Sequence, residues 1–264
     1  MKPARALLVL ALALPVALAA ALPPAPSPAG QEAQTRASRF AGRTVVITGA
    51  NRGLGLEFAR QYAAAGAKVV GTARDPETAT ELAATGARVL PLDVTDGASV
   101  AALAKALGGT EIALLVNNAG INGGVSTEEG VDYDRIARIL EVNTIGPMRV
   151  THALTPHLAA AGDARVVNVS SIMGSIERSS GGGLGYRESK AALNMFTRSY
   201  AMEHRADGMV CIAVHPGWVR TDMGGERAPL EPAESIRGLR AVIEGLTAEH
   251  TGRFFQHDGE ELPW

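Results

Sequence analysis

One stretch near the start of the folded region limits most strongly what this chain can fold into. Residues 44–48 form a continuous apolar, β-branched run, the glycine-rich turn of residues 49–55 follows, and an amphipathic stretch continues to residue 65. A strand that is apolar along its whole length is typical of a parallel sheet, where both faces are buried. A strand that passes through a short turn into a helix begins the alternating units of an α/β fold. The stretch therefore predicts a parallel sheet that is covered by helices.

The remainder of the chain repeats this alternation of strand and helix. Strands are predicted at residues 44–48, 67–73, 88–91, 112–117, 165–170, 209–215 and 252–256. Helices are predicted at residues 53–65, 76–84, 97–107, 132–161, 186–205 and 232–246. Seven strands with helices between them indicate an α/β fold, a Rossmann-type doubly wound parallel sheet with helices on both faces, built by one domain over residues 42–264. Ligands of such sheets bind outside the carboxyl ends of the strands.

Charge and composition exclude several classes of protein. The net charge of −2 provides no basic field for binding nucleic acid. Cys211 is the single cysteine, so no intrachain disulfide can form, and the apolar run at residues 209–214 predicts a buried structural thiol. The six histidines show no spacing typical of metal ligands, and we expect no metal site.

The first 41 residues differ in composition from the rest of the chain. Lys2 and Arg5 precede an apolar segment at residues 6–22, and residues 23–41 contain many Pro, Ala, Ser and Gln. We interpret residues 1–22 as a signal peptide or an uncleaved membrane anchor, and residues 23–41 as a linker. The positive-inside rule then predicts a periplasmic or membrane-anchored domain, with membrane contact through residues 6–22. A mis-set start codon is the alternative, and it would leave the domain in the cytoplasm.

The glycine-rich turn between the first strand and the first helix suits a phosphate-binding site. Glycines let the backbone turn sharply and approach a pyrophosphate, which rests on the N-terminus of the following helix. Such a turn can also be merely flexible, but its place between a buried strand and a helix favours binding of a dinucleotide. The residues expected to contact the cofactor here are Gly49, Asn51, Arg52, Gly53, Leu54 and Gly55.

Residues at the ends of the second and third strands bear on which dinucleotide binds. An acidic residue after the second strand suits the ribose hydroxyls of NAD, whereas an arginine suits the 2′-phosphate of NADP. Arg74 stands there, and Arg52 could reach the same phosphate, so we favour NADP(H). The alternative is two surface arginines, with Asp75 serving NAD(H). After the third strand, Asp93 and Val94 are expected to contact the cofactor. Asp93 either accepts a hydrogen bond from the adenine amino group or caps the next helix.

Tyr186 and Lys190 lie four residues apart in the helix predicted at residues 186–205. Residues with this spacing share a face of a helix, so the phenol and the ammonium would point into the same space. The lysine cation would favour the phenolate and lower the tyrosine pKa from ~10 towards neutral pH, where general acid–base catalysis works best. Taken alone, a tyrosine and a lysine four residues apart usually form part of a solvated stripe on a helix surface. Beside a dinucleotide site, the spacing predicts proton transfer to or from a carbonyl or an alcohol.

Several motifs, in their order along the chain, resemble those of one known family. They are residues 48–55, Asn117–Gly120, Asn143, Ser170–Ser171, Tyr186–Lys190, and Pro216–Gly217 with Thr221. Over residues 42–264 the chain resembles the short-chain dehydrogenase/reductase family. Within that family, residues 186–195, residues 215–223 and the ending at residues 262–264 are similar to those of the C-factor and sniffer-type carbonyl reductases.

The resemblance implies roles for individual residues. Tyr186 would be the general acid and base, Lys190 would lower its pKa and bind the nicotinamide ribose, and Ser171 would orient the substrate carbonyl. Asn143 would support a water-linked proton relay. Ser170 competes with Ser171, which we prefer because the family's catalytic serine is the second of such a pair. The further cofactor contacts implied are Asn118, Ala119, Gly120, Tyr186, Lys190, Pro216, Gly217, Val219 and Thr221.

Together these observations predict an NADP(H)-dependent oxidoreductase that interconverts a carbonyl and an alcohol of a small molecule. An NADP-binding signalling or regulatory protein on the same scaffold is the alternative, since a fold does not fix a function. The complete set of Asn, Ser, Tyr and Lys favours chemistry. The short segment at residues 218–232 predicts an open site for small or varied carbonyl compounds. In many relatives the helices that correspond to residues 132–161 and 186–205 form a dimer face, so a homodimer is a further expectation. The outward-facing residues of these two helices do not decide whether this chain forms one.

Overall fold

The computed structural model of the chain describes residues 38–123 and 130–264. The predicted signal peptide or anchor at residues 1–22, and the predicted linker up to residue 37, lie outside the described residues. Across the described ranges, no helix is long and apolar enough to cross a membrane. The same two ranges contain no cluster of three or more His, Cys, Asp or Glu side chains that could hold a metal ion.

Within the described residues, seven strands form one parallel sheet. They are β1 (Thr44–Ile47), β2 (Lys68–Ala73), β3 (Arg88–Pro91), β4 (Ile112–Asn117), β5 (Arg165–Val169), β6 (Val210–His215) and β7 (Phe254–Gln256). Their order is β3-β2-β1-β4-β5-β6-β7, and every adjacent pair is parallel. The predicted Rossmann-type sheet is therefore confirmed. The order reverses between β1 and β4, and the crevice at their carboxyl ends is where such sheets bind ligands.

Helices cover both faces of the sheet. They are α1 (Gly53–Ala64), α2 (Thr80–Ala83), α3 (Gly97–Leu107), α4 (Tyr133–Leu140), α5 (Gly146–Ala160), α6 (Tyr186–Glu203) and α7 (Pro232–Glu244). Val45 and Ile47 of β1 pack with α1 and α7, whereas Val46 packs with α3, α5 and α6. These three residues are fully buried, as expected for a central strand that is covered on both sides. Cys211 of β6 is also buried, as predicted, and burial raises the pKa of its thiol.

The second helix is shorter than the sequence predicts. A helix is predicted at residues 76–84, but α2 includes only Thr80–Ala83. Asp75 accepts a hydrogen bond from the backbone N–H of Glu77, and the Thr78 hydroxyl donates to the Asp75 carbonyl. Local hydrogen bonds of this kind compete with helical ones, so the first part of the stretch forms a turn.

The long helix predicted at residues 132–161 is divided in the structure. A π-helical segment, Glu141–Ile145, separates α4 from α5 and contains Asn143. Pro147 has no N–H group, so it cannot form the α-helical hydrogen bond to the carbonyl of Asn143. The wider π turn accommodates this missing donor within an otherwise continuous helix, and such turns often occur at functional sites.

A row of polar side chains runs through the buried interior at β4 and β5. Asn117 and Asn168 are register partners, and Asn117 Nδ2 donates to Oδ1 of Asn168 at 2.8 Å. The same nitrogen donates to Thr151 Oγ1 of α5 at 2.8 Å, and Asn168 Nδ2 donates to Thr197 Oγ1 of α6 at 2.9 Å. All four side chains are buried. The row therefore joins two helices to two central strands through hydrogen bonds that are buried away from water.

The folded domain begins earlier than residue 42, where the sequence analysis places its start. Phe40 is fully buried and packs edge-on against Tyr62 of α1, with their ring centroids 5.7 Å apart. The backbone N–H of Arg39 donates to the Glu244 carboxylate of α7 at 2.9 Å. Residues 38–41 therefore belong to the domain and not to the predicted linker, because a buried aromatic ring anchors them.

Candidate active site

A cleft of about 560 Å³ opens at the carboxyl ends of the strands. The predicted site residues that line it are Gly49, Asn51, Arg52, Gly53, Leu54, Arg74, Asp93, Val94, Asn118, Ala119, Gly120, Tyr186, Lys190, Pro216 and Thr221. The predicted site residues that are not part of this lining are Gly55, Asn143, Ser171, Gly217 and Val219. The fold thus brings residues from widely separated parts of the chain to one cleft, as the sequence predicts.

The glycine-rich turn after β1 is tied to the end of β4 by hydrogen bonds. The Thr48 hydroxyl accepts from the N–H groups of Asn118 and Ala119, both at 3.0 Å. The Asn118 side-chain amide donates to the carbonyls of Thr48 and Gly49, also at 3.0 Å. A Cβ at Gly55 would clash with the Gly49 carbonyl and lie 2.5 Å from the Asn118 amide nitrogen. Gly55 therefore lets α1 begin directly behind the turn, and its role is packing.

The N-terminus of α1 is suited to binding an anion. No side chain caps it, and its first turn carries no acidic residue. The N–H groups of the first turn and the positive end of the helix dipole can then interact with a phosphate. Gly53, whose φ of 54° lies in the left-handed region, and Leu54 line the cleft here. This arrangement fits the pyrophosphate of a dinucleotide.

Two arginines line the cleft at the segments that follow β1 and β2. Arg52 and Arg74 both contribute to its wall, and so does Asp75. Nη1 of Arg52 lies 2.9 Å from Oδ2 of Asp222, and both of these side chains are mostly exposed. Two guanidinium groups on one cleft fit a phosphate dianion. Asp222 was not among the predicted site residues, because the two partners of this ion pair are 170 residues apart.

Asp93 faces the cleft as a carboxylate. Its Oδ1 accepts hydrogen bonds from the backbone N–H of Thr95 at 2.9 Å and from the Thr95 hydroxyl at 2.7 Å. These hydrogen bonds hold the pKa of Asp93 below its ordinary value. The residue that caps α3 is Asp96, which accepts from the N–H of Ala98. The suggestion that Asp93 caps this helix is therefore wrong. The other predicted role remains, in which the Asp93 carboxylate is an anionic hydrogen-bond acceptor beside the cleft.

Tyr186 and Lys190 enter the cleft from the first turn of α6. Lys190 Nζ lies 5.6 Å from the centre of the Tyr186 ring and donates to the Val169 carbonyl at 2.9 Å. Burial lowers the pKa of Lys190 to about 8. Burial also raises the pKa of Tyr186, and hydrogen bonding by Ser171 opposes only part of this rise. Desolvation therefore keeps the Tyr186 pKa above its ordinary value, and the expected fall towards neutral pH is not seen here. The lowering of this pKa by Lys190 itself stays a prediction.

The two adjacent serines have different partners. Ser170 Oγ donates to Asn194 Oδ1 at 2.6 Å, which uses its proton inside the packing between β5 and α6. Ser171 Oγ accepts from the N–H of Met173 at 3.2 Å, and hydrogen bonding by Ser171 lowers the pKa of the Tyr186 phenol. Ser170 lines the cleft wall, but its proton is used by Asn194. The effect of Ser171 on the Tyr186 pKa favours Ser171 as the partner of Tyr186.

The side chain of Asn143 is fully engaged by the protein. Its Oδ1 accepts from the N–H of Ile121 at 2.8 Å, and its Nδ2 donates to the Ile121 carbonyl and to Ser189 Oγ. A Cβ at Gly120 would lie 3.3 Å from Asn143 Oδ1 and 3.8 Å from Lys190 Nζ. Asn143 thus joins the segment after β4 to α6 close to Lys190. A proton relay through Asn143 stays a prediction. The side-chain amide of Asn143 is already used in the contacts with Ile121 and Ser189.

The segment after β6 arches over the glycine-rich turn. Gly217 has a φ of 85°, and a Cβ there would lie 2.8 Å from His257 and Leu230. Val219 is buried and pairs with Leu230 through an isolated parallel bridge. A Cβ at Gly53 would lie 3.7 Å from Thr221 Cγ2. Gly217 and Val219 therefore shape the segment, and Thr221 is carried to the cleft.

Comparison with known families accounts for this combination of fold and site. A family model described as short chain dehydrogenase matches residues 43–231. The chain belongs to the short-chain dehydrogenase family. The resemblance inferred from the motifs is confirmed, and with it the assignment of this short-chain dehydrogenase to the oxidoreductases.

This short-chain dehydrogenase is similar to proteins of the predicted branch. It is 47% identical to the C-signal of Myxococcus xanthus over 152 residues, which are 57% of this chain and 92% of that protein. It is 36% identical to an NADPH-bound carbonyl reductase from chicken fatty liver, with a TM-score of 0.79 over 85% of this chain and all of that one. It is 30% identical to the carbonyl reductase Sniffer of D. melanogaster, with a TM-score of 0.78 and the same coverage.

Two residues that shape the site of this short-chain dehydrogenase could have been found from the sequence. Thr48 stands directly between the β1 run and the first glycine, where a hydroxyl can reach the neighbouring strand end. Arg187 follows Tyr186, and its guanidinium makes four hydrogen bonds beside the site. Their positions next to recognised motifs were the available signal.

Proposed function

We propose that this protein is an NADP(H)-dependent carbonyl reductase, which interconverts a carbonyl and an alcohol with Tyr186 as the general acid and base. The observation that carries the proposal is that Tyr186 and Lys190 line the same cleft as the glycine-rich turn after β1. A carbonyl reduction needs a hydride carrier and a proton donor side by side. The similar enzyme from chicken fatty liver is described as an NADPH-bound carbonyl reductase, which supports the same reaction class.

The proposed chemistry assigns a task to each buried polar group. A nicotinamide cofactor, when bound in the cleft, would supply the hydride for the carbonyl carbon. Ser171 orients the carbonyl oxygen, and Tyr186 Oη donates its proton to that oxygen. Because Lys190 has a pKa of about 8, it is mostly a cation at neutral pH and stabilises the phenolate left behind. The raised pKa of Tyr186 keeps the phenol protonated, which suits reduction rather than oxidation at neutral pH.

The charges around the cleft support NADP(H) rather than NAD(H) in this proposal. Arg52 and Arg74 present two guanidinium groups to one cleft, which suits a 2′-phosphate. Asp93 is an anionic acceptor that suits the adenine amino group. Asp75 also lines the cleft and would serve the ribose hydroxyls if NAD(H) were the cofactor.

One assay tests the reaction and the cofactor together. Purified protein is mixed with NADPH or with NADH and a panel of aldehydes, ketones and quinones, and loss of the reduced nicotinamide is followed by absorbance. We expect consumption with at least one carbonyl class, with a higher kcat/KM for NADPH than for NADH. Consumption with no member of the panel would contradict the proposal, and a higher kcat/KM with NADH would contradict the cofactor assignment.

Similarity to the Myxococcus xanthus C-signal favours a second candidate function. In this alternative the protein binds NADP and acts as a signal or a regulator without significant turnover. Calorimetry with NADP⁺ separates the two, because tight binding without consumption in the panel supports the second candidate. Turnover with any carbonyl supports the first.

We also propose that residues 6–22 direct or anchor the protein outside the cytoplasm. The apolar run behind Lys2 and Arg5 is the support for this proposal. Fractionation of cells that express the full chain, or a chain that starts at residue 38, tests it. We expect the full chain in the membrane or periplasmic fraction and the shorter one in the cytoplasm, and a cytoplasmic full chain would contradict the proposal.

A further inference from the structure

Arg187, the neighbour of Tyr186 in α6, binds two separate segments beside the site, residues 180–182 and Met173. Its Nε donates to the carbonyls of Gly181 and Gly182, at 3.0 and 2.8 Å. Its Nη1 donates to the Met173 carbonyl at 3.3 Å, and its Nη2 donates to the Ser180 hydroxyl at 3.2 Å. All these acceptors are neutral oxygens, so the contacts depend on the planar, forked shape of the guanidinium group.

The glycine run that Arg187 holds has little conformational preference of its own. Gly181, Gly182 and Gly183 follow one another with φ values of 80°, 68° and 68°. Glycine loses more backbone freedom on ordering than any other residue, so a run of three needs an external contact to keep one shape. The Nε–H group supplies such a contact, because it is shared between two consecutive carbonyls of the run.

A second chain of contacts leads from Arg187 to the reacting hydroxyl groups. Arg187 holds the carbonyl of Met173, while the N–H of Met173 donates to Ser171 Oγ at 3.2 Å. Hydrogen bonding by Ser171 in turn lowers the pKa of the Tyr186 phenol. The guanidinium therefore fixes the backbone on which the orientation of Ser171 depends, without reaching the cleft itself.

We propose that Arg187 is a positioning residue: its guanidinium holds the glycine run at residues 181–183 as a wall of the substrate site and orients Ser171 through Met173. This inference rests on the proposed carbonyl reduction for its effect on rate, and on the structure alone for its effect on the loop. A lysine at this position would carry the charge but could not reach acceptors in three directions.

The test compares Arg187→Ala and Arg187→Lys with the wild type and with Arg198→Ala. Arg198 is a matched control, because it also lies in α6 and donates to a backbone carbonyl, that of Gly252, away from the cleft. Hydrogen–deuterium exchange of the peptide spanning residues 171–185 measures the loop, and steady-state kinetics with NADPH and one accepted carbonyl measures the site. We expect faster exchange and a kcat/KM about 10- to 100-fold lower in both Arg187 variants, with the KM for NADPH unchanged.

Chemical rescue separates positioning from a general loss of structure. Added methylguanidinium should restore part of the kcat of Arg187→Ala and should leave Arg198→Ala unaffected. Unchanged exchange at residues 171–185 in both Arg187 variants would overturn the proposal, and so would an equal loss in Arg198→Ala. If the wild type consumed no carbonyl, the proposed function would fail, while the exchange measurement would still decide whether Arg187 holds the wall.

Discussion

The cofactor side and the catalytic side of the cleft differ in how their charged residues meet water. Near the glycine-rich turn, the side chains of Arg52 and Asp222 are 71% and 80% exposed, and they form a single ion pair. In α6, Lys190 is 6% exposed and donates to a backbone carbonyl. Exposed ion pairs contribute about 0.2–1 kcal/mol, whereas burial changes pKa values strongly.

This contrast indicates which side chains of the cleft can be substituted without affecting their neighbours and which cannot. The choice between two dinucleotides depends on exposed charges that a substitution can change without disturbing packing. The acid–base groups depend on buried neighbours, so a change at one of them alters the others. We therefore expect large effects from the catalytic side and graded, selective effects from the cofactor side.

The largest effect is expected from Tyr186→Phe. Removal of the phenol oxygen takes away the proton donor and should lower kcat about 100- to 10,000-fold. NADPH affinity, measured by fluorescence titration, should stay within a few-fold of the wild type, because the ring and its contact with Lys190 remain. Turnover near the wild-type value with every accepted carbonyl would show that the proton comes from another group.

The two serines should differ sharply within the catalytic side. Ser171→Ala removes a polar partner of the reacting oxygen and should lower kcat about 100-fold. Ser170→Ala leaves Asn194 Oδ1 without its donor and should instead reduce the free energy of unfolding by about 1–3 kcal/mol. Kinetics and urea unfolding of both variants check this. If Ser170→Ala lost more kcat than Ser171→Ala, Ser170 would be the catalytic serine and Ser171 the structural one.

On the cofactor side, Gly55→Ala should disturb packing rather than charge. The new methyl group meets the Gly49 carbonyl and the Asn118 amide, and such overpacking typically costs about 1–3 kcal/mol. We expect lower stability and weaker NADPH binding together, measured by urea unfolding and fluorescence titration. Gly97→Ala is the control, because a Cβ at Gly97 meets no atom within 4 Å. Normal NADPH binding in Gly55→Ala would mean that the turn tolerates displacement.

The pH dependence of reduction should follow Lys190. Its cation is present below a pKa of about 8 and is lost as the pH rises through that value, while the raised pKa of Tyr186 keeps the phenol protonated over the same range. The kcat/KM for reduction should therefore be level below pH 8 and fall above it. Lys190→Arg keeps its charge and should lose this inflection, whatever its absolute rate. If Lys190→Arg retained the inflection, the titrating group would be a residue other than Lys190.

The smallest effect is expected from Asp222→Asn, which removes the acidic partner of Arg52. An exposed ion pair of about 0.2–1 kcal/mol corresponds to a decrease of at most about fivefold in the KM for NADPH. The KM for NADH should not change, because NADH lacks the 2′-phosphate that Arg52 would contact. Equal changes for both cofactors would show that Asp222 acts on the shape of the cleft and not on phosphate recognition.

The positions of the main elements could be predicted because their signals are local. The β-branched run of β1 and the glycines after it determine a buried strand and a sharp turn, and both lie in the structure where the sequence predicts them. The division of the helix at residues 132–161 was harder to predict, because its hydrophobic period continues through the break. Pro147 was visible in the sequence, but whether a helix breaks or forms a π turn at a proline depends on the packing around it.

Features that depend on tertiary packing could not be predicted. The raised pKa of Tyr186 comes from burial, which the spacing of Tyr186 and Lys190 does not reveal. The pairing of Arg52 with Asp222 depends on two loops that meet only in the folded sheet. Phe40 looked like part of a polar linker, and only its contact with Tyr62 assigns it to the core.

The buried amides of Asn117 and Asn168 have a consequence for how the sheet assembles. They meet only when β4 and β5 pair in the native register, with these two residues opposite each other. A slip by one residue turns a side chain to the other face of a strand, among apolar groups. Each amide left there without a partner costs about 1–3 kcal/mol. The pair thus makes misaligned pairing of β4 and β5 unfavourable, in a sheet whose valines alone would accept several alignments.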